Sequence, residues 1–296
     1  MHHICNSSWH ARAANIPKET MDPSPPPYTE YVQNDQSREE QVPQYEAPTY
    51  NPSSQDSKTL QNAMAKFPPT MNGYFQWKMT STFHLGPTAE QKLFAVTIHS
   101  SVFGNKPSLI LYDGPTKEDP VMATLKSDKW GRARPVDIAL PPRPGGHHTD
   151  AIDVQLVPVS TKHVSPTYTF EIQGTGKGTG RDRFEWRKTQ GNEIKELATG
   201  HSYGWKLVWL SGPVNSAGGS RKEREMGVAS DGTEIVALLA HNASWSMTKG
   251  FRFAFMGTGL TGTFGEVWEI LTVTSALHLW YLDFQGATAA AAAATS

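Results

Sequence analysis

Three short stretches of this chain have residue types at a spacing that can carry chemistry. Gly257-Thr258-Gly259-Leu260-Thr261-Gly262 fits G-x-G-x-x-G. That spacing lets backbone amides at a helix start approach a pyrophosphate. The surroundings argue against a dinucleotide. The preceding segment, Phe251–Met256, alternates, whereas a dinucleotide-binding strand is covered on both faces and reads as continuously apolar. Too few residues follow for the rest of a βαβ unit, and Asp283, near the usual ribose offset, falls where the next apolar segment ends. The glycines are better read as a tight turn out of a strand. Gly174-Thr175-Gly176-Lys177-Gly178-Thr179-Gly180 resembles a phosphate loop, but Lys177 is followed by Gly178 rather than Ser or Thr, and Glu171 stands where the first glycine belongs. It reads as a hairpin connection.

The third stretch is Pro25-Pro26-Pro27-Tyr28, a PPxY pattern. Prolines fix the extended polyproline II shape, so docking costs little entropy. An aromatic groove takes the pair Pro25 and Pro26, and a second pocket takes Tyr28. The expected partner is a WW domain, often found in HECT-class ubiquitin ligases. Val42-Pro43-Gln44-Tyr45 and Ala47-Pro48-Thr49-Tyr50 are degenerate copies that would add avidity.

No catalytic set is legible. His147-His148 and Asp150 lack a third spaced ligand, and neither H-E-x-x-H nor G-x-S-x-G occurs. Glu266 and Glu269 share one helix start, where they serve its dipole and amides. The expectation is a non-enzymatic protein with no cofactor and no metal. An enzyme with its site in barrel-end loops is a further alternative. A basic cluster is the remaining candidate: Lys177, Arg181, Arg183, Arg187 and Lys188, joined by Arg221, Lys222 and Arg224 from another loop. Such a patch would take anionic lipid headgroups. Interleaved Asp182, Glu185, Glu223 and Glu225 make solvated charge the plainer reading.

Composition narrows the classes. The 27 Lys+Arg against 28 Asp+Glu give a net charge of −1, so no nucleic acid is expected as partner. The single cysteine, Cys5, rules out an internal disulfide and fits a reducing compartment. The start lacks an apolar signal core, and the expected location is cytoplasmic, peripheral at membranes. Residues 21–66 hold seven acidic residues against three basic ones and few apolar residues. They cannot bury enough surface to offset their ordering entropy. Residues 1–66 are therefore expected to be a disordered proline-rich tail.

The elements that would position these groups follow from periodicity. Expected strands are Tyr74–Phe83, Lys92–His99, Ser108–Tyr112, Val121–Ser127, Pro135–Leu140 and Ala151–Val159. Tyr168–Ile172, Arg183–Lys188, Gly204–Leu210, Thr233–Leu239 and Phe251–Met256 follow. Many alternate: Ile152, Val154 and Leu156 oppose Asp153 and Gln155. That is the period of half-buried antiparallel strands, and so many at this spacing predict a barrel or sandwich.

Val267–Leu282 is different. Its polar residues, Glu266, Glu269, Thr272, Ser275 and His278, step by three and so spiral about the helix axis, leaving no wet stripe. It is too short and too polar for a membrane span. A helix apolar all round needs a container, and a closed sheet is one. Trp268, Ile270, Leu271, Leu277 and Trp280 are the expected helix core, each contributing about 1.5–3 kcal/mol on burial. Thr272, Thr274 and Ser275 are expected to return their hydroxyls to carbonyls one turn back.

Arg183-Phe184-Glu185-Trp186-Arg187, Gly204-Trp205-Lys206-Leu207-Val208 and Gly265-Glu266-Val267-Trp268 leading into that helix resemble the tubby C-terminal-like superfamily. That group includes tubby proteins, phospholipid scramblases and LURP-one-related proteins. The texture is most similar to fungal tubby-like proteins with proline-rich tails. The resemblance covers residues 67–285. It implies a closed antiparallel barrel of about twelve strands around a central hydrophobic C-terminal helix. It also implies a binding or adaptor role, with a phosphoinositide or other anionic membrane surface as candidate partner. A scramblase-like protein with the helix in lipid is the alternative. Residues 286–296 are a low-complexity alanine-rich tail.

Overall fold

A computed structural model describes residues 66–75, 81–99, 106–127, 134–142, 149–159, 166–174, 180–198, 203–213, 227–246 and 249–294. The proline-rich tail, with Pro25, Pro26 and Tyr28, lies outside them. So do Lys177, Arg221, Lys222 and Arg224.

Twelve antiparallel strands close on themselves. They are β1 (Thr70–Tyr74), β2 (Thr82–Gly86), β3 (Phe94–Ile98), β4 (Leu109–Tyr112), β5 (Val121–Lys126) and β6 (Val136–Leu140). The second half is β7 (Ile152–Val159), β8 (Thr167–Gln173), β9 (Arg181–Thr189), β10 (Gly204–Trp209), β11 (Glu234–Ser246) and β12 (Lys249–Phe255). Sequential strands pair as a meander, and β1 on β12 closes the ring, Met71 opposite Phe253. The expected single strand Tyr74–Phe83 is not one element: Tyr74 ends β1 and Phe83 belongs to β2, and residues 76–80 lie outside the described residues. Its alternation was misleading because the apolar residues at its two ends belong to different strands.

Helix α2 (Gly265–Ala294) fills the barrel. Trp268, Ile270, Leu271, Leu277 and Trp280 are all buried, and so are the five polar residues of the spiral. The interior closes in two aromatic clusters along the helix. Trp268 lies against Phe264, Phe184 and Phe255 with ring centroids 4.6, 5.7 and 5.6 Å away. Trp280 lies against Phe75, Phe251 and Phe83 at 4.7, 5.3 and 5.5 Å. Such pairs add to the stabilisation from burial alone. The Trp186 indole N–H donates to Ser275 Oγ at 2.9 Å, and that hydroxyl donates to the Thr272 carbonyl at 3.0 Å. Of the three hydroxyls expected to bond back, only Ser275 does. Those of Thr272 and Thr274 are buried without a hydrogen-bond partner. Among the described residues no helix is long and apolar enough to cross a membrane.

The glycine turn before α2 behaves as its residue types require. Gly257, Gly262 and Gly265 have φ of +48°, +71° and +76°, a region that L side chains rarely enter. At Gly259 a Cβ would lie 2.3 Å from the Val236 carbonyl oxygen and 2.9 Å from the Trp268 ring. The turn therefore presses on both the wall and the helix. A short 3-10 turn, Gly257–Leu260, spans it.

Two further differences have simple causes. Helix α2 continues through the alanine run to Ala294 rather than ending near Gln285. Alanine has the highest helix propensity, and a helix already nucleated extends into it cheaply. Helix α1 (Asn192–Ala198) was not anticipated. Its Ile194 is buried in a second apolar cluster with Val208, Ile235, Leu238 and Ala240. β11 is thus covered on both faces, which is why Ile235–Ala240 reads as an unbroken apolar run.

His278 is enclosed in the barrel, and burial lowers its pKa from the ordinary 6.5 to about 4. The folded state therefore holds the neutral ring while the unfolded chain takes a proton. Its contribution is complete above pH 6.5 and is lost as pH falls to 4, a span of about 3 kcal/mol. Denaturant titrations across that window should show the loss, and His278→Gln should flatten it.

Candidate functional site

The barrel is not laced evenly. β6 pairs with β7 over five residues, Val136–Leu140 against Ile152–Leu156. β8 pairs with β9 over Tyr168–Gln173. Between β7 and β8 the ladder has three pairs, Val157 with Thr169, Pro158 with Tyr168, and Val159 with Thr167, as many as join β1 to β2, β3 to β4 and β5 to β6, although β7 and β8 are longer strands. Beyond them the two strands stay close but are not laddered to each other.

A cleft of about 1110 Å³ lies here, slightly above the usual range for ligand pockets. Its apolar lining is Ile152, Val154, Phe170, Ile172, Phe264 and Val267. Ile152 and Val154 point inward yet stay half-buried, while Ile138 and Leu140 on the adjoining strand are fully buried. Solvent therefore reaches the core at this seam. Phe170 stacks on Phe184 at 5.4 Å, and Phe184 meets Phe264 edge-on at 5.0 Å, so the cleft floor is backed by the aromatic cluster around Trp268. The rim is polar: Asp153, Gln155, Glu171, Gln173 and Arg181. The first turn of α2, with Glu266, lies at the inner end.

The opposite end of the barrel is sealed by charge. Asp283, its side chain 2% exposed, accepts the Trp205 indole N–H at 2.8 Å. Lys188 Nζ lies 3.1 Å and His241 Nε2 3.2 Å from its carboxylate. The Lys188 ammonium also sits 5.2 Å from the Trp205 ring centroid, and Tyr203 stacks on His241 at 4.5 Å. Burial alone would raise the Asp283 pKa. The contacts from His241, Lys188 and Trp205 outweigh it and hold the carboxyl at about 2.

The basic residues nominated from the sequence do not share one open surface. Alternation along β9 sends Lys188 to the inside, toward Asp283, while Arg183 and Arg187 face out. Arg187 pairs with Glu185 at 2.5 Å and Asp231 at 2.6 Å. Arg181 and Arg183 approach the same Glu171 carboxylate at 3.7 and 3.9 Å. Each described member of the candidate patch thus has a carboxylate at hand. Among the described residues no group of three or more His, Cys, Asp or Glu could hold a metal ion.

Neither the cleft nor the Asp283 cluster was found from sequence. Asp283 was noticed only for its offset from the glycine turn. Comparison of the chain with protein-family models, with curated proteins and with solved structures gives no match.

The Asp283 carboxyl titrates lower in the folded state than in the unfolded chain. Its contribution, about 2 kcal/mol, is therefore present above pH 4 and lost as pH falls through 2. Asp283→Asn should lower stability near neutral pH and remove this acid-dependent part. Unfolding followed by tryptophan fluorescence between pH 5 and 2 checks both.

Proposed function

We propose that this chain is a non-enzymatic binding or adaptor protein of the tubby C-terminal-like kind. In this reading the barrel is a rigid scaffold whose cleft receives a partner, and the proline-rich tail recruits a second partner through a WW domain. The observation that carries the reading is the cleft of about 1110 Å³ beside β7 and β8. Its apolar floor and polar rim suit specific recognition, because burial supplies affinity and the rim sets orientation. The tail arm rests on Pro25, Pro26 and Tyr28. Two weak sites on one chain gain through effective concentration once the linker spans both partners.

An anionic membrane surface is a second partner class. Arg181 and Arg183 favour it, with side chains 73% and 50% exposed. Glu171 between them works against it. A scramblase-like arrangement is less well supported, since α2 lies inside the barrel rather than against lipid.

A WW-domain pulldown should retain the wild-type chain and lose Tyr28→Ala by about tenfold or more, given that a pocket-filling aromatic is a hot spot. Equal retention of both removes the tail arm. For the membrane arm, sedimentation with phosphoinositide-containing vesicles should exceed that with neutral vesicles and fall in Arg181→Glu/Arg183→Glu. Equal sedimentation on both vesicle types removes it.

A further inference from the structure

We infer that the cleft beside β7 and β8 binds a small amphipathic cation, an alkyl chain ending in an amine. The inference rests on the reading of the cleft as a binding surface and names the chemical class that it takes.

The first argument is from shape. β7 and β8 stay close, and Leu156, Phe170 and Ile172 are buried. What solvent reaches is a narrow apolar wall: Ile152 and Val154 from β7 and Val267 from α2, each half-buried. The cross-strand partners on β6, Leu140 for Ile152 and Ile138 for Val154, are fully buried. The contrast marks apolar surface that a ligand can take out of water. The lining follows β7 from Ile152 to Val157, a run of about 17 Å at the rise of a strand. An alkyl chain is slim enough for such a wall and brings no main-chain polar groups that need partners.

The second argument is from charge. Among the described residues, the charged side chains of the cleft are Asp153, Glu171 and Glu266 against Arg181. Three carboxylates face one guanidinium. Arg181 already lies 3.7 Å from Glu171, and its side chain is 73% exposed, so it belongs to the wet rim. Glu266 differs: it is 7% exposed and lines the inner end beside Val267. Opposite charges attract more strongly away from water than at the surface. The carboxylate that a ligand meets deepest is therefore the one that selects its charge.

The third argument is from the helix start. The first turn of a helix attracts anions. In α2 that turn carries Glu266, so the chain supplies its own negative group there. A carboxylate or sulfate head would be repelled by Glu266. A primary ammonium would donate hydrogen bonds to it. The tail then lies along Ile152 and Val154, and the head reaches the start of α2.

The test titrates the full-length chain with three probes that share one tail: decylammonium, decyl maltoside and decyl sulfate, each below its micellar concentration. Calorimetry reads affinity, and amide hydrogen exchange at residues 152–154 and 265–267 reports the place. Decylammonium should bind at one equivalent and slow exchange in both segments. It should exceed the maltoside by about tenfold, the scale of a hydrogen bond to a charged group. Glu266→Gln should bring decylammonium down to the level of the maltoside and leave the maltoside unchanged. Asp153→Asn, at the exposed rim, leaves the interior untouched and should weaken decylammonium alone by about twofold. A neutral or anionic probe that binds these segments as tightly as decylammonium overturns the inference, as does a folded Glu266→Gln chain that keeps the preference. In both cases the cleft stands as a binding surface. If none of the three probes slows exchange in either segment, the cleft falls and the inference with it.

Discussion

The constraint on which this structure depends is the enclosure of one apolar helix by one closed sheet. A helix satisfies its own backbone groups and a ring of strands has no edges, so the two can nest without leaving main-chain polar groups stranded. What remains is side-chain chemistry. The spiral of polar residues on α2 cannot be turned outward, because every side of the helix is inside. Two indoles answer part of it from the wall, Trp186 to Ser275 and Trp205 to Asp283, fixing the helix in both rotation and depth. Removing one partner of such a buried pair costs more than the pair contributes, since the other is left unsatisfied.

The same enclosure explains the asymmetry between the barrel ends. At the C-terminal part of α2 the interior is stoppered by Asp283 with Lys188, His241 and Trp205. At its N-terminal part no comparable plug is present among the described residues. There a cleft lies beside β7 and β8. Its apolar floor is continuous with the core, and Asp153 and Glu171 flank it.

The basic residues illustrate why composition is a poor guide to a surface. Four arginines and lysines along β9 look like a patch when counted, but a strand divides them between two faces. Lys188 serves the interior, Arg187 bridges Glu185 and Asp231, and Arg181 and Arg183 share Glu171. The alternation needed to divide them was in the sequence. The carboxylates that meet them come from residues up to 95 positions away, as Asp283 does from Lys188, and no local pattern indicates such partners.

Local periodicity was enough to determine that this chain is a sheet with a buried helix. Strands betray themselves by alternation, β11 by its unbroken apolar run, and α2 by the lack of any wet face, because each of these patterns records how many sides an element buries. The glycine turn was legible for a similar reason: Gly257, Gly262 and Gly265 occupy backbone angles that other residues resist. Local pattern misled where neighbouring residues serve different elements, as between β1 and β2, or where a short helix such as α1 owes its burial to strands distant in the chain. Only the tertiary structure decided where the ring of strands is laced and where it is not. A strand carries the same alternation whether or not it is laddered to its neighbour, so the cleft beside Ile152–Leu156, and the indole and lysine that converge on Asp283, follow from the closing of the barrel rather than from any stretch of sequence.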